Sequence, residues 1–236
     1  MRTIGFSTGA LAYSDFHCAL AMISNLDVKA VELSALRDEE LEPLLAAIDS
    51  LELGRFSYIS IHAPSQFLGL SECDAQALLA KHLWRKWPII LHPDAIRDFG
   101  IWRDFGPLLL IENMDRRKPV GRSKRELESV FKELPDAGLC FDIGHARQFD
   151  PTMAEAHLIL REFRSRLMQV HVSEVNSRSK HDRLSYASIT AFQEVAHLLP
   201  PEIPLILETP ASGFDIETEI AKAELALPVA LEALVS

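Results

Sequence analysis

Short apolar runs recur along the chain, and each closes on a polar or titratable residue. They are TIGFS (3–7), AVEL (30–33), YISIH (58–62), IILH (89–92), LLLIEN (108–113), LCFDIGH (139–145), MQVHV (168–172) and PLILETP (204–210). Runs this short, rich in Ile, Leu and Val, fit strands buried on both faces, as in a parallel sheet. Between them the pattern is helical: 38–51, 74–86, 123–134, 152–166, 188–199 and a terminal stretch 216–234 that contains Pro228. Ser123 followed by Glu126 has the form of a capping box, with Leu127, Val130, Phe131 and Leu134 on one face of the helix it opens. The fourth unit is short, so any helix around 95–105 is brief, with Phe99, Trp102 and Phe105 packing it.

Eight strand signals alternating with helical ones predict parallel βα units. In 236 residues each unit has about thirty, slightly below the roughly 250 residues typical of a (β/α)8 barrel. The expected fold is therefore α/β, a (β/α)8 TIM barrel forming a single domain over 1–236. An open doubly wound sheet is the other arrangement this alternation permits, but it would not gather the strand ends in one place.

A barrel gathers them, because its strand C-termini converge on one mouth. Glu32, His62, His92, Glu112, Asp142, His171 and Glu208 close seven successive runs, mostly about thirty residues apart. His145 and His181 follow nearby. Charged groups converging on an apolar barrel are costly unless compensated. Imidazoles and carboxylates are also the ligands of Zn2+, Mn2+ and related divalent cations. Glu112, Asp142, His171 and Glu208 are the expected metal ligands. His62 and His92 are candidates for a second metal or for substrate oxygens. His17, His82, His157 and His197 fall in helical segments and are expected to be surface or packing residues.

Composition narrows the partners. Thirty-four acidic against 24 basic residues give a net charge of −10, so no general attraction for nucleic acid exists. A basic stretch at Arg116, Arg117, Lys118, Arg122, Lys124 and Arg125 is expected to be a solvated loop and helix face, with phosphate binding as the other reading. Cys18, Cys73 and Cys140 are an odd, scattered set that suits a reducing compartment, and the N-terminus reads as a strand rather than a signal peptide. No apolar run is long enough for a membrane span. The expectation is a cytoplasmic protein without membrane or nucleic-acid partners; a homo-oligomer is compatible with the sequence.

The motifs IHAP (61–64), LHP (91–93), IEN (111–113), FDIGHA (141–146), HVSE (171–174), HDRLSYA (181–187) and LETP (207–210) resemble, in order, those of the xylose-isomerase-like barrels. That group includes sugar phosphate isomerases and epimerases and the metal-dependent apurinic-site (AP) endonucleases of family 2. The resemblance implies one or two divalent ions (Mn2+, Zn2+, Co2+ or Mg2+) on Glu112, Asp142, His171 and Glu208. It further implies Glu112 and Glu208 as the catalytic pair that exchanges a proton next to a carbonyl. By the same resemblance His145 and His181 bind substrate or a further metal, and His62 and His92 an additional metal. Ser179 stands where endonuclease-like members carry Asp, which leaves a third metal position incomplete. The leading expectation is a metal-dependent sugar isomerase or epimerase. The alternative is a phosphoesterase of the AP-endonuclease kind; a lyase and a non-catalytic binding barrel are further readings.

Overall fold

The structure, a computed structural model, describes residues 2–211 and 215–229. Eight parallel strands close on themselves: β1 (Ile4–Ser7), β2 (Ala30–Ser34), β3 (Tyr58–His62), β4 (Ile89–Leu91), β5 (Leu109–Glu112), β6 (Gly138–Asp142), β7 (Leu167–Val172) and the last barrel strand, Leu205–Leu207. Between the last two lies a two-stranded antiparallel hairpin, β8 (Glu174–Val175) with β9 (His181–Asp182), so Leu205–Leu207 is β10. The barrel order is β1-β10-β7-β6-β5-β4-β3-β2, closed through β1 and β2. This is the expected (β/α)8 barrel, and almost every barrel-strand residue is buried because helices cover the outside while side chains fill the lumen.

The strand expectations hold to within a residue or two, except that 204–210 is strand only over Leu205–Leu207 and that a helix takes over the end of one other run. The run 139–145 is not all strand. Asp142 ends β6 and caps the helix Ile143–Phe149, its carboxylate accepting from His145 N. An apolar run entering a short helix has no change of composition to mark it. Gly144 lets this helix press against β7, since a Cβ there would lie 2.4 Å from Ser173 O. That approach carries His145 into the mouth.

The helices begin near their expected starts but end early. Asp38–Ala47, Glu72–Ala80, Ala154–Glu162 and Tyr186–Gln193 each give way to a single 3-10 turn. Ser123 caps Lys124–Glu133, accepting from Glu126 N, but the other half of the box is displaced. The Glu126 carboxylate accepts from Arg122 N and its guanidinium, because that partner adds charge. The fourth unit holds only the turn Phe99–Trp102, flanked by 3-10 turns; Trp102 is fully buried and donates to Glu72. The last helix is Ile216–Ala226 and stops before Pro228, which cannot donate to the helical ladder. Residues 230–234 of that expectation lie outside the described residues. Two helices of the first unit, Thr8–Ala12 and Phe16–Ile23, were not expected. Among the described residues no helix is long and apolar enough to cross a membrane.

Candidate metal centre

Glu112, Asp142, His171 and Glu208, separated by up to 96 positions in sequence, converge at the mouth. One donor atom from each lies within 4.8 Å of every other, and all four residues are buried. Ligands about 2.0–2.2 Å from one cation stand at most about 4.4 Å apart, so the set is nearly drawn to coordination spacing. Strand register explains the convergence: Asp142 pairs with His171 across β6 and β7, and His171 pairs with Ile206 of β10, two residues before Glu208.

His62 and His92 also arrive. His62 Nε2 and His92 Nε2 both lie 3.2 Å from Glu112 Oε2. The other Glu112 oxygen faces His145 Nδ1 at 3.2 Å and His171 Nδ1 at 3.4 Å. Glu112 is therefore the hub, shared by the group His62–His92–Glu112 and by the four-residue group. A third group, Asp142–His145–His181, satisfies the same spacing. Ser179 is not part of it; its hydroxyl donates to Asp115 Oδ1 at 2.7 Å. The carboxylate in this group comes from Asp142 instead.

The hydrogen bonds aim these groups. A carbonyl can only accept, so His62 donates Nδ1–H to Ala63 O (2.7 Å), which turns Nε2 toward Glu112. His145 Nδ1 donates to Asn113 O at 3.0 Å. The Asn113 side chain clamps the end of β6, accepting from Asp142 N and donating to Asp142 O, both at 2.8 Å. Inside the four-residue group the atoms are not satisfied. Asp142 Oδ2 and His171 Nδ1 are buried without a hydrogen-bond partner. Buried polar groups are rarely left so, and a divalent cation on these donors would use both. The residues fit such an ion in number, type and spacing.

The crowding shows in the titration of the carboxylates. Burial alone would raise Glu112, but the positive charge of the imidazoles around it, His171 and His92 foremost, holds it well below its ordinary range. For Glu208 burial dominates; His171 opposes it only in part, Glu112 and Asp142 add to it, and its pKa is pushed up to about 8. Burial likewise raises Asp142. One carboxylate is held ionised while two resist ionisation, which is the state of an anionic cluster short of positive charge.

A cavity of about 530 Å3 opens beside the group, lined by Ser7, Tyr13, Lys180, His181, Glu208 and Pro210 among others. His17, His82, His157 and His197 join none of the ligand groups; His157 and His197 lie near each other, ring centroids 6.1 Å apart. Most of the basic stretch is engaged locally: Lys118 with Asp94, Arg122 with Glu126, Lys124 with Glu128 and Glu162, and the Arg117 guanidinium with Arg178 O. Sequence reasoning placed Glu32 at a strand end but gave it no part in the site, and it overlooked Asn113 and Gln169. Asn113 sits inside the IEN motif beside Glu112, and Gln169 lies two positions before His171, on the same face of the strand.

No protein-family model matches the chain, and no curated protein does. Solved structures do resemble it. Endonuclease IV from Thermus thermophilus superposes with a TM-score of 0.61 at 19% identity, over 95% of this chain and 99% of that one. The 3-keto-D-glucoside 4-epimerase of E. coli gives 0.55 at 11%, over 96% and 99%. An Anabaena variabilis protein described as a sugar phosphate isomerase/epimerase gives 0.52 at 13%, over 93% and 88%. At these identities the shared property is the architecture, a closed (β/α)8 barrel.

Proposed function

We propose that this chain is a metal-dependent hydrolase acting on a phosphate ester of a small molecule. The observation that carries the reading is the double use of Glu112: one oxygen faces two imidazole Nε2 atoms at 3.2 Å, and the other faces the four-residue group. This is the donor arrangement of two cation sites bridged by a carboxylate. Two divalent ions so held would activate water and neutralise charge on the ester and its leaving oxygen. The chain's own part is positional. His62 and His92 hold one side of Glu112; Asp142, His171 and Glu208 hold the other; His145 and His181 face a third edge. Glu208 and His181 border the cavity, so a bound ester would lie against them. A cavity of about 530 Å3 and a net charge of −10 favour a compact phosphate ester, such as that of a carbohydrate, over a nucleic-acid strand.

Metal analysis of the purified protein, followed by a panel of phosphate mono- and diesters, tests this. Two or more ions per chain and ester cleavage abolished by a chelator are expected. A single ion, with no cleavage, overturns it.

A second reading has its own support. His171 Nδ1 stands 3.4 Å from Glu112 Oε1 and 3.4 Å from Glu208 Oε2, so two carboxylates flank one ion position at the cavity. That placement suits proton removal and return at a sugar carbon next to a carbonyl, the isomerase or epimerase chemistry. One ion per chain and uptake of deuterium from heavy water into a sugar would favour it.

A further inference from the structure

We infer that Glu32 is the positioning residue of the four-residue centre, fixing the ring of His171 from across the barrel. The inference rests on reading that centre as a cation site. Glu32 lies on β2, and β1 and β10 separate β2 from β7 in the barrel wall, so its reach to His171 passes through the lumen. The side chain is fully buried. Its Oε2 collects three donors: His171 Nε2 at 2.9 Å, Gln169 Nε2 at 2.7 Å and Ser60 Oγ at 3.3 Å.

The Gln169 amide nitrogen lies within reach of Glu32 Oε2, of His171 Nε2 at 2.8 Å and of Cys140 Sγ, and its carbonyl oxygen accepts from the Tyr58 hydroxyl at 2.7 Å. An ionised carboxylate only accepts, so the proton in the 2.9 Å contact between His171 Nε2 and Glu32 is the imidazole's own. With Nε2 turned to Glu32, Nδ1 is the nitrogen left to offer a lone pair to a cation, and it is the buried atom without a hydrogen-bond partner that faces Glu112 and Glu208. A carboxylate behind an imidazole fixes the tautomer, holds the ring plane and raises the basicity of the ligating nitrogen.

A purely structural pair would not leave its carboxylate half-used. Glu32 Oε1 is buried with no donor, and Glu32 has a carboxylate oxygen within 4.8 Å of donor atoms of His62 and Glu208. A buried, half-compensated carboxylate thus lies beside a member of each ligand group on which positive charge would sit. A lone ion pair with His171 would gain nothing from that orientation.

Titration of the whole protein with Zn2+ and with Co2+ tests the inference. For Glu32→Gln the expected result is a roughly 10- to 100-fold weaker affinity at the four-residue centre and an altered visible spectrum of bound Co2+. The number of ions bound at saturation should not change. Ser60→Ala removes only the longest contact and should leave affinity within about twofold. Gln169→Met leaves both charges in place but removes the amide that fixes the carboxylate. It carries the test should Glu32→Gln fail to fold; a severalfold loss supports the role of Glu32, and no loss overturns it. Wild-type affinity and spectrum in a folded Glu32→Gln overturn the inference alone. Absence of any bound divalent ion in the wild type overturns the cation reading itself.

Discussion

Two carboxylate-bearing regions of this barrel solve opposite problems. At the rim, Asp38 collects the backbone N–H groups of Leu68, Gly69 and Leu70 on one oxygen, with 2.7 and 2.9 Å to the first and last. Its other oxygen accepts from Glu39 N. Those backbone hydrogen bonds hold its pKa far below the usual carboxylate range. The loop 65–71 after β3 is thereby pinned to the start of the Asp38–Ala47 helix. At the mouth, Asp142 and Glu208 are raised by burial, and Asp142 Oδ2 has no donor. The rim carboxylate is consumed by the fold. The mouth carboxylates are assembled and then left wanting a cation. Fully spent polar groups mark structure, whereas buried unspent ones mark a place where something binds.

The comparison breaks most sharply at Glu112, the hub of the mouth. Glu112→Gln removes the shared charge, and the expected loss of divalent-ion affinity exceeds the roughly 100-fold ceiling for an outer partner. Isothermal titration should show both adjoining sites weakened together; loss at only one would show that Glu112 is not shared.

Asp38→Asn tests the other region. It should leave ion affinity unchanged and lower the thermal midpoint by about 3–6 °C at pH 7. The pH dependence has a definite sign. The folded pKa of Asp38 lies below its ordinary value of 3.8, so its contribution is present above about pH 4 and is lost as pH falls through the folded value. The wild type's advantage over Asp38→Asn should shrink steadily as pH falls below about 4 and vanish only below the folded pKa, read as converging melting curves.

The smallest effect belongs to the basic stretch. The Arg122–Glu126 pair is about a quarter to a third exposed and spans one helical turn. Arg122→Gln should cost no more than about 0.5 kcal/mol in denaturant unfolding and change neither ion binding nor turnover. A large effect on turnover would mean that this face takes part in substrate binding after all.

The eight strands were legible because each is a short apolar run near a polar residue, titratable in all but the first, and the barrel's two-sided burial demands the apolar run. The helix ends were less so, since final 3-10 turns retain apolar residues and no Gly or Pro announces them at Ala47 or Gln193. Glu112, Asp142, His171 and Glu208 were legible as a set because they recur at strand ends. Glu32 carries the same signature, yet its partner His171 is 139 positions away, and nothing local says that its oxygen meets that ring. Gln169 and Asn113 were invisible for the same reason: an amide in a strand has no periodicity of its own.

What the sequence determined by itself was the repeat of βα units and the chemical type of residue at each strand end, because burial and chain periodicity are local properties. Only the tertiary structure decided which of those residues share an atom, which oxygen of Glu112 serves which neighbours, and which donors remain unspent. Those depend on barrel closure and strand stagger, which bring side chains from opposite walls within a few ångströms of one another.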